Sequence, residues 1–285
     1  MKPLYLTLLI SAAGIQAAEN MQVQRLSGDA HSLARNARLR FERQAVFQHG
    51  LEVIVPELII GGEWTSTIKL INKGNAMIPP SDVYFIDSAG NPMQATFQTT
   101  GGARVTDYGF TFTLGTAAGI LETTFYGGKD TQFGHALIDP TACPSSAGCS
   151  LYGEVTLRNR NSSRPDFESV FPLEEPNDVQ YLLWDHRAGY STVLYLVSEN
   201  TTNNVVSLEF RNTDDRLMRT VPITMRGGES QIITLGSIAP ETLGTQGTLV
   251  IRGRNTAGGY PLIVATALRV NPSNSFTPMR TFVPK

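Results

Sequence analysis

The sequence predicts an all-β protein made of two tandem β-sandwich domains that follow a cleaved signal peptide. Three observations predict it: strand-like alternation runs from about residue 45 to the end, helical periodicity is nearly absent, and one β-unit occurs twice. Short runs rich in Val, Ile, Thr, Tyr and Phe are punctuated by Gly, Pro, Asn and Asp. Thr65–Asn72, Val83–Ile86, Thr111–Leu114, Glu154–Arg158, Thr192–Val197, Ser207–Phe210, Gln231–Leu235 and Thr248–Ile251 are examples. Many short strands at this spacing build a sandwich or a barrel.

At the start, Lys2 precedes the apolar run Leu4–Ile10 and small residues that end at Ala17 and Ala18. This is the pattern of a secretory signal over residues 1–18, too short for the ~20 residues of a membrane-spanning helix. The expected location is therefore secreted or periplasmic, with no later membrane span. Residues 19–44 read as a flexible lead-in whose Arg35, Arg38, Arg40 and Arg43 are solvated or touch an anionic surface. Lys and Arg number 23 against 25 Asp and Glu, a net charge of −2 that argues against a nucleic-acid partner.

The repeat is visible residue by residue. Trp64-Thr-Ser-Thr-Ile-Lys-Leu-Ile-Asn72 matches Tyr190-Ser-Thr-Val-Leu-Tyr-Leu-Val-Ser198: an aromatic, a Ser-Thr pair and an alternating strand. Val83-Tyr-Phe-Ile-Asp-Ser-Ala-Gly-Asn-Pro-Met93 lies over Leu208-Glu-Phe-Arg-Asn-Thr-Asp-Asp-Arg-Leu-Met218 without a gap, each Met opening a return strand. Leu114–Ile120 and Met225–Gln231 are both Gly-containing turns into a further strand. The acidic stretch Leu173-Glu-Glu-Pro-Asn-Asp178 reads as the boundary. It gives domain one at 45–173, a solvated linker at 174–178 that restricts orientation, and domain two at 179–282.

Four stretches span most of the chain: Gly61–Asn72, Val83–Pro92, Arg164-Pro-Asp-Phe-Glu-Ser-Val170 and Leu268-Arg-Val-Asn-Pro-Ser-Asn-Ser-Phe-Thr277. On these the sequence resembles the tandem β-sandwich proteins secreted by acidobacteria and other soil bacteria. The resemblance implies an Ig-like fold and a location outside the cell, and it brings no catalytic residues. The second unit has Asp215-Arg216 where the first has Gly90-Asn91. A different turn type is expected there, because Arg is poorly suited to the positive φ that Gly tolerates.

Few residues suggest chemistry. Cys143 and Cys149 bracket Pro-Ser-Ser-Ala-Gly and read as a local disulfide pinning a hairpin tip, worth at most ~3 kcal/mol for so short a loop. The nucleophile elbow Gly-x-Ser-x-Gly is missing, and His31, His49, His135 and His186 form no metal-binding pair by spacing. Asp185 and His186 are adjacent, so on a strand they point to opposite faces and His186 reads as structural. Asp82 with Asp87, or Asp214 with Asp215, read as solvated turns rather than a calcium site. Trp64 is expected in the core. Trp184, in the polar context Asp185-His-Arg187, is the better surface candidate for a ligand contact. No cofactor, metal or catalytic residue is expected. The favoured reading is a non-enzymatic binding or structural module at the bacterial cell envelope, with a protein or glycan partner. A periplasmic chaperone with exposed sheet edges and a hydrolase with scattered loop residues are the alternatives.

Overall fold

The computed structural model describes residues 22–25, 53–116, 119–139, 148, 150–160, 166–273 and 275–283. The expected signal peptide, the arginine cluster, His31, His49, Cys143 and Cys149 lie outside the described residues.

The chain is all-β, with four antiparallel sheets among the described residues. Sheet I has the order β1 (Gln22–Arg25), β7 (Gly109–Leu114), β4 (Ile78–Asp87), β9 (Gln132–Asp139), β2 (Val53–Ile60). Sheet II runs β11 (Phe167–Pro172), β10 (Leu151–Asn159), β3 (Trp64–Asn72), β8 (Ile120–Tyr126), β5 (Ala95–Thr99), β6 (Val105–Asp107). Sheet III runs β12 (Val179–Asp185), β17 (Gln246–Asn255), β14 (Asn204–Asn212), β15 (Leu217–Met225). Sheet IV runs β16 (Ser230–Thr234), β13 (Ser191–Ser198), β18 (Ile263–Val270), β19 (Phe276–Met279). Leu235, expected to end a strand, instead opens the short helix α1 (Leu235–Ile238) and buries its side chain.

The sequence repeat is also a repeat of topology. Taken in chain order, β2, β3, β4, β7, β8, β9, β10 and β11 pair in the same pattern as β12 to β19: β7-β4-β9-β2 beside β15-β14-β17-β12, and β11-β10-β3-β8 beside β19-β18-β13-β16. The first half adds the hairpin β5–β6 at an edge of sheet II. Met93 begins the return as expected, its amide donating to the Phe85 carbonyl at 2.8 Å. The chain then leaves sheet I for that hairpin and comes back beside β4 only as β7. The lead-in departs from its expected flexibility at Gln22–Arg25, which pair with β7 as β1.

The turn after β4 and its counterpart after β14 have the same construction, against expectation. Asp87 Oδ1 accepts the amides of Ala89 and Asn91 at 2.9 and 2.8 Å, and Asn212 Oδ1 accepts those of Asp214 and Arg216 at 3.0 and 2.9 Å. The positive φ falls on Gly90 (88°) and on Asp215 (60°), not on Arg216, and Asp tolerates the left-handed region better than most residues. Only the first copy needs glycine for space: a Cβ on Gly90 would lie 2.9 Å from the Gly227 carbonyl oxygen in the second half.

Among the described residues, three apolar clusters hold the sheets. One lies between sheets I and II and contains Phe85, Phe97, Phe110 and Phe125. A second lies between sheets III and IV around Trp184, Leu194, Leu208 and Phe210. The third joins the halves: Ile54, Tyr84, Ile86 and Leu137 from sheet I meet Val197, Leu262 and Val264 from the second half. Strict alternation makes this possible. On β13, Leu194 and Leu196 face sheet III, whereas Tyr195 and Val197 face the first half. On β4, Val83 and Phe85 face sheet II, whereas Tyr84 and Ile86 face the second half. β2, an edge strand with every residue buried, is explained by this packing on both sides.

Leu137→Ala should cost about 2–5 kcal/mol in urea denaturation, because the site is enclosed by both halves. Leu183→Ala, at a residue 57% exposed, should stay within about 0.5 kcal/mol of the parent.

Candidate functional site

The most site-like surface is a groove on the outer face of sheet II. In β3, Ile68 and Leu70 turn inward, so Lys69 and Ile71 turn out; in β10, Val155 and Leu157 turn inward, so Tyr152 and Glu154 turn out. Register places Ile71 opposite Tyr152, Lys69 opposite Glu154, and Glu154 opposite Pro172 of β11. The segment after β19 forms the far wall. Two adjoining hollows of about 400 and 290 Å³ result, sharing Tyr152, Gly153, Pro172, Glu174 and Arg280. Each is near the size range of small-ligand clefts.

Glu174 is held there by main-chain bonds rather than floating in a solvated linker. Its N–H donates to the Ile54 carbonyl at 3.2 Å and its carbonyl accepts from the Ile54 amide at 3.1 Å. Half-burial pushes its carboxyl up to about 7, against the pull of the Arg280 guanidinium and with a further push from Glu175. Tyr152 is 56% exposed and carries the Lys73 ammonium over its ring at 3.6 Å. Glu154 sits 3.7 Å from Lys69 in an exposed ion pair of little energetic weight. The groove thus presents a carboxyl that titrates near neutrality, a guanidinium and an aromatic ring: groups suited to holding a polar ligand.

The structure corrects the surface position expected for Trp184, which is 1% exposed and part of the second core. Of the polar neighbours that suggested exposure, Asp185 lies with the exposed Leu183 on the opposite face of β12, Arg187 lies beyond the strand, and His186 is itself buried beside the indole. The indole borders a hollow of about 490 Å³ with Leu183, Asp185 and Arg269, and its ring centre lies 5.2 Å from that of His186. Asp185 and His186 diverge. Asp185 accepts from Arg187 at 2.9 Å and Arg269 at 2.6 Å, and the Arg187 hydrogen bond chiefly holds its carboxyl down at about 2. His186 Nδ1 pairs with Thr242 Oγ1 at 2.9 Å, and burial pulls the imidazole below its ordinary value. Trp64 is half-buried against the first core, edge-on to Phe167 at 6.3 Å. Asp82 accepts from the hydroxyls of Tyr84 and Thr111 at 2.9 and 2.6 Å, while Asp87 caps its turn, so the two are committed to separate partners. Among the described residues, no group of three or more His, Cys, Asp or Glu gathers as a metal site.

Two polar pairs are buried where the halves meet, and neither stands out from sequence spacing. His135 Nε2 of β9 meets Glu199 Oε1 just beyond β13, both side chains fully buried. Glu57 sits at the bulge of β2 with its carboxyl against Tyr195. Neither Glu57 oxygen makes a well-aligned hydrogen bond, so burial dominates and raises its pKa to about 8, while burial likewise raises the Tyr195 phenol. The signal for both pairs was a polar residue inside an apolar run: Glu57 in Val53–Ile60 and His135 in Phe133–Asp139.

Compared with known proteins, the chain matches no protein-family model and no curated protein sequence.

Glu57 should leave a pH signature. Below about pH 4.5 its carboxyl is protonated folded and unfolded; between 4.5 and about 8 the unfolded chain releases the proton while the folded chain keeps it. This group's contribution to stability should therefore fall as pH rises through that window, by a few kcal/mol in total. Urea midpoints at pH 5 and pH 8 should differ less for Glu57→Gln than for the parent, and an unchanged difference would remove Glu57 as the cause.

Proposed function

We infer that this chain is a non-enzymatic binding or structural module acting outside the cytoplasm at the bacterial cell envelope, built from two tandem Ig-like sandwiches. The observation that carries the reading is the groove on sheet II: it needs both halves, Tyr152 and Glu174 from the first and Arg280 from the second. A partner protein or glycan lying in it would contact both halves at once. The Ig-like part of the reading rests on the central strands: β3 beside β8 and β4 beside β9 reproduce the B–E and C–F pairs of immunoglobulin-type domains. The terminal strands trade places relative to that scheme, since β2 lies beside β9 and β10 beside β3. The Cys143–Cys149 disulfide and the cleaved signal belong to the same extracytoplasmic reading.

Incubating the purified protein with envelope fractions, polysaccharides and co-secreted proteins tests this directly. A saturable partner is expected in the retained fraction. Its affinity should fall about tenfold or more for Tyr152→Ala and Arg280→Ala, and should change between pH 6 and 8 for the parent but not for Glu174→Gln. Loss of binding in Leu183→Ala but not in these variants would move the contact surface away from the groove.

One observation supports a second reading. Glu154 and Glu174 line the same hollow, one carboxyl exposed beside Lys69 and the other half-buried with a raised pKa, the division of roles a glycoside hydrolase uses. Release of reducing sugar from envelope polysaccharide by the parent, abolished in Glu174→Gln, would favour the hydrolase; turnover equal in both would reject it.

A further inference from the structure

Two equivalent sheet edges in this chain are finished differently. β7 and β15 hold the same place in the repeated frame, each at the outer side of the strand that follows the first Met-containing turn: β7 beside β4, β15 beside β14. With Val83 laid on Leu208, Thr111 corresponds to Pro222. The Phe85 amide donates to the Tyr108 carbonyl at 2.9 Å, which sets the phase of the β4–β7 ladder. Phe110 and Phe112 therefore turn their main-chain groups toward β4, and Thr111 turns its N–H outward. At the matching point β15 has a proline and no N–H to offer. Thr224, in phase with Pro222, has its carbonyl turned away from β14, where the Gln231 side chain reaches it at 3.4 Å.

A proline on the open side of an edge strand blocks the addition of another strand. Among the described residues no strand pairs with the open side of β15, whereas β7 is paired by β1, with Gln24 opposite Thr111. β1 lies outside the repeated frame. Among the described residues it pairs over Gln22–Arg25, and residues 26–52, enough chain to span at most roughly 90 Å, separate it from β2. A strand with so few paired residues makes few main-chain hydrogen bonds, so a neighbouring molecule at high local concentration competes for the same edge.

We propose that the outer edge of β7 is a strand-acceptor site whose occupant exchanges between molecules: residues 22–25 of one copy pair with β7 of a second copy, in the antiparallel register seen within the chain. Reciprocal exchange closes a two-fold dimer, and one-way exchange extends a linear array. The contact is made by main-chain hydrogen bonds, as in other forms of strand addition, and is independent of the groove on sheet II.

Two full-length variants test it by complementation. Thr111→Pro copies Pro222 onto the β7 edge and leaves the donor strand intact. Gln24→Pro removes the donor amide opposite Thr111 and leaves the acceptor intact. Each alone should be monomeric by light scattering after size exclusion at about 100 μM. An equal mixture should contain a one-to-one heterodimer, and a mixture that stays monomeric would overturn the proposal. Thr111→Val, which loses the 2.6 Å hydrogen bond to Asp82 but keeps the amide, should still dimerise with Gln24→Pro when its own donor is present. Should Thr111→Pro fail to fold, Gln24→Pro titrated with a peptide of residues 19–28 asks the same question: saturable binding is expected, and no binding overturns the proposal.

Discussion

Sheet IV is apolar on both faces, and the rest of the structure depends on that. Leu194, Leu196, Ile263, Ala265 and Ala267 fill the core shared with sheet III, while Tyr195, Val197, Val264 and Leu268 from the same strands pack against the first half. Left in water, that second face would expose an apolar patch of a few hundred Å², the kind that ordinarily marks an interface. The two halves are consequently joined by packing more than by their short connection. β2 shows the consequence: as a sheet edge it would present unpaired main chain to solvent, but it is buried along its whole length.

Such a junction encloses polar groups. His135 and Glu199 come from opposite sides of it, as do Glu57 and Tyr195, and burying them opposes the gain from the apolar contacts around them. What they add is register. A one-residue slip of β13 would move Tyr195 away from Glu57 and turn Leu194 and Leu196 toward the wrong core. The close approach of Gly90 to Gly227 acts in the same way, since no larger side chain fits between those turns. The apolar contacts supply the attraction, and the polar pairs and glycines restrict it to one arrangement.

The strands and the repeat were legible in the sequence because both are written in period two, and each expected strand in the described residues lies on an observed one apart from Leu235. What failed were judgements that need to know which face of a strand is covered. Trp184 was read from Asp185, which lies on the other face of β12, and from His186, which is buried beside it. Glu174 was read from its acidic composition, although its backbone is bonded to β2 from more than a hundred positions earlier in the chain. The buried His135–Glu199 and Glu57–Tyr195 pairs, and the groove, bring together residues remote in sequence, and local spacing carries no record of such pairings. The β5–β6 hairpin was hidden for another reason: it interrupts the repeat directly after the Met that the two copies share.

The outward positions of one strand show where the two copies differ. Laying β3 on β13 sets Thr67 on Val193, Lys69 on Tyr195 and Ile71 on Val197, while the inward positions remain Ile68 on Leu194 and Leu70 on Leu196. The inward residues keep their character because both copies fill a sandwich core. The outward residues separate: in sheet IV they are apolar and become the junction, and in sheet II they include Lys69 and Ile71, of which Ile71 borders the groove. One face of the repeated unit thus has two uses, and the groove depends on the junction. Only when sheet IV is covered by the first half does the segment after β19 come to lie across sheet II, where it supplies Arg280 and the groove's far wall.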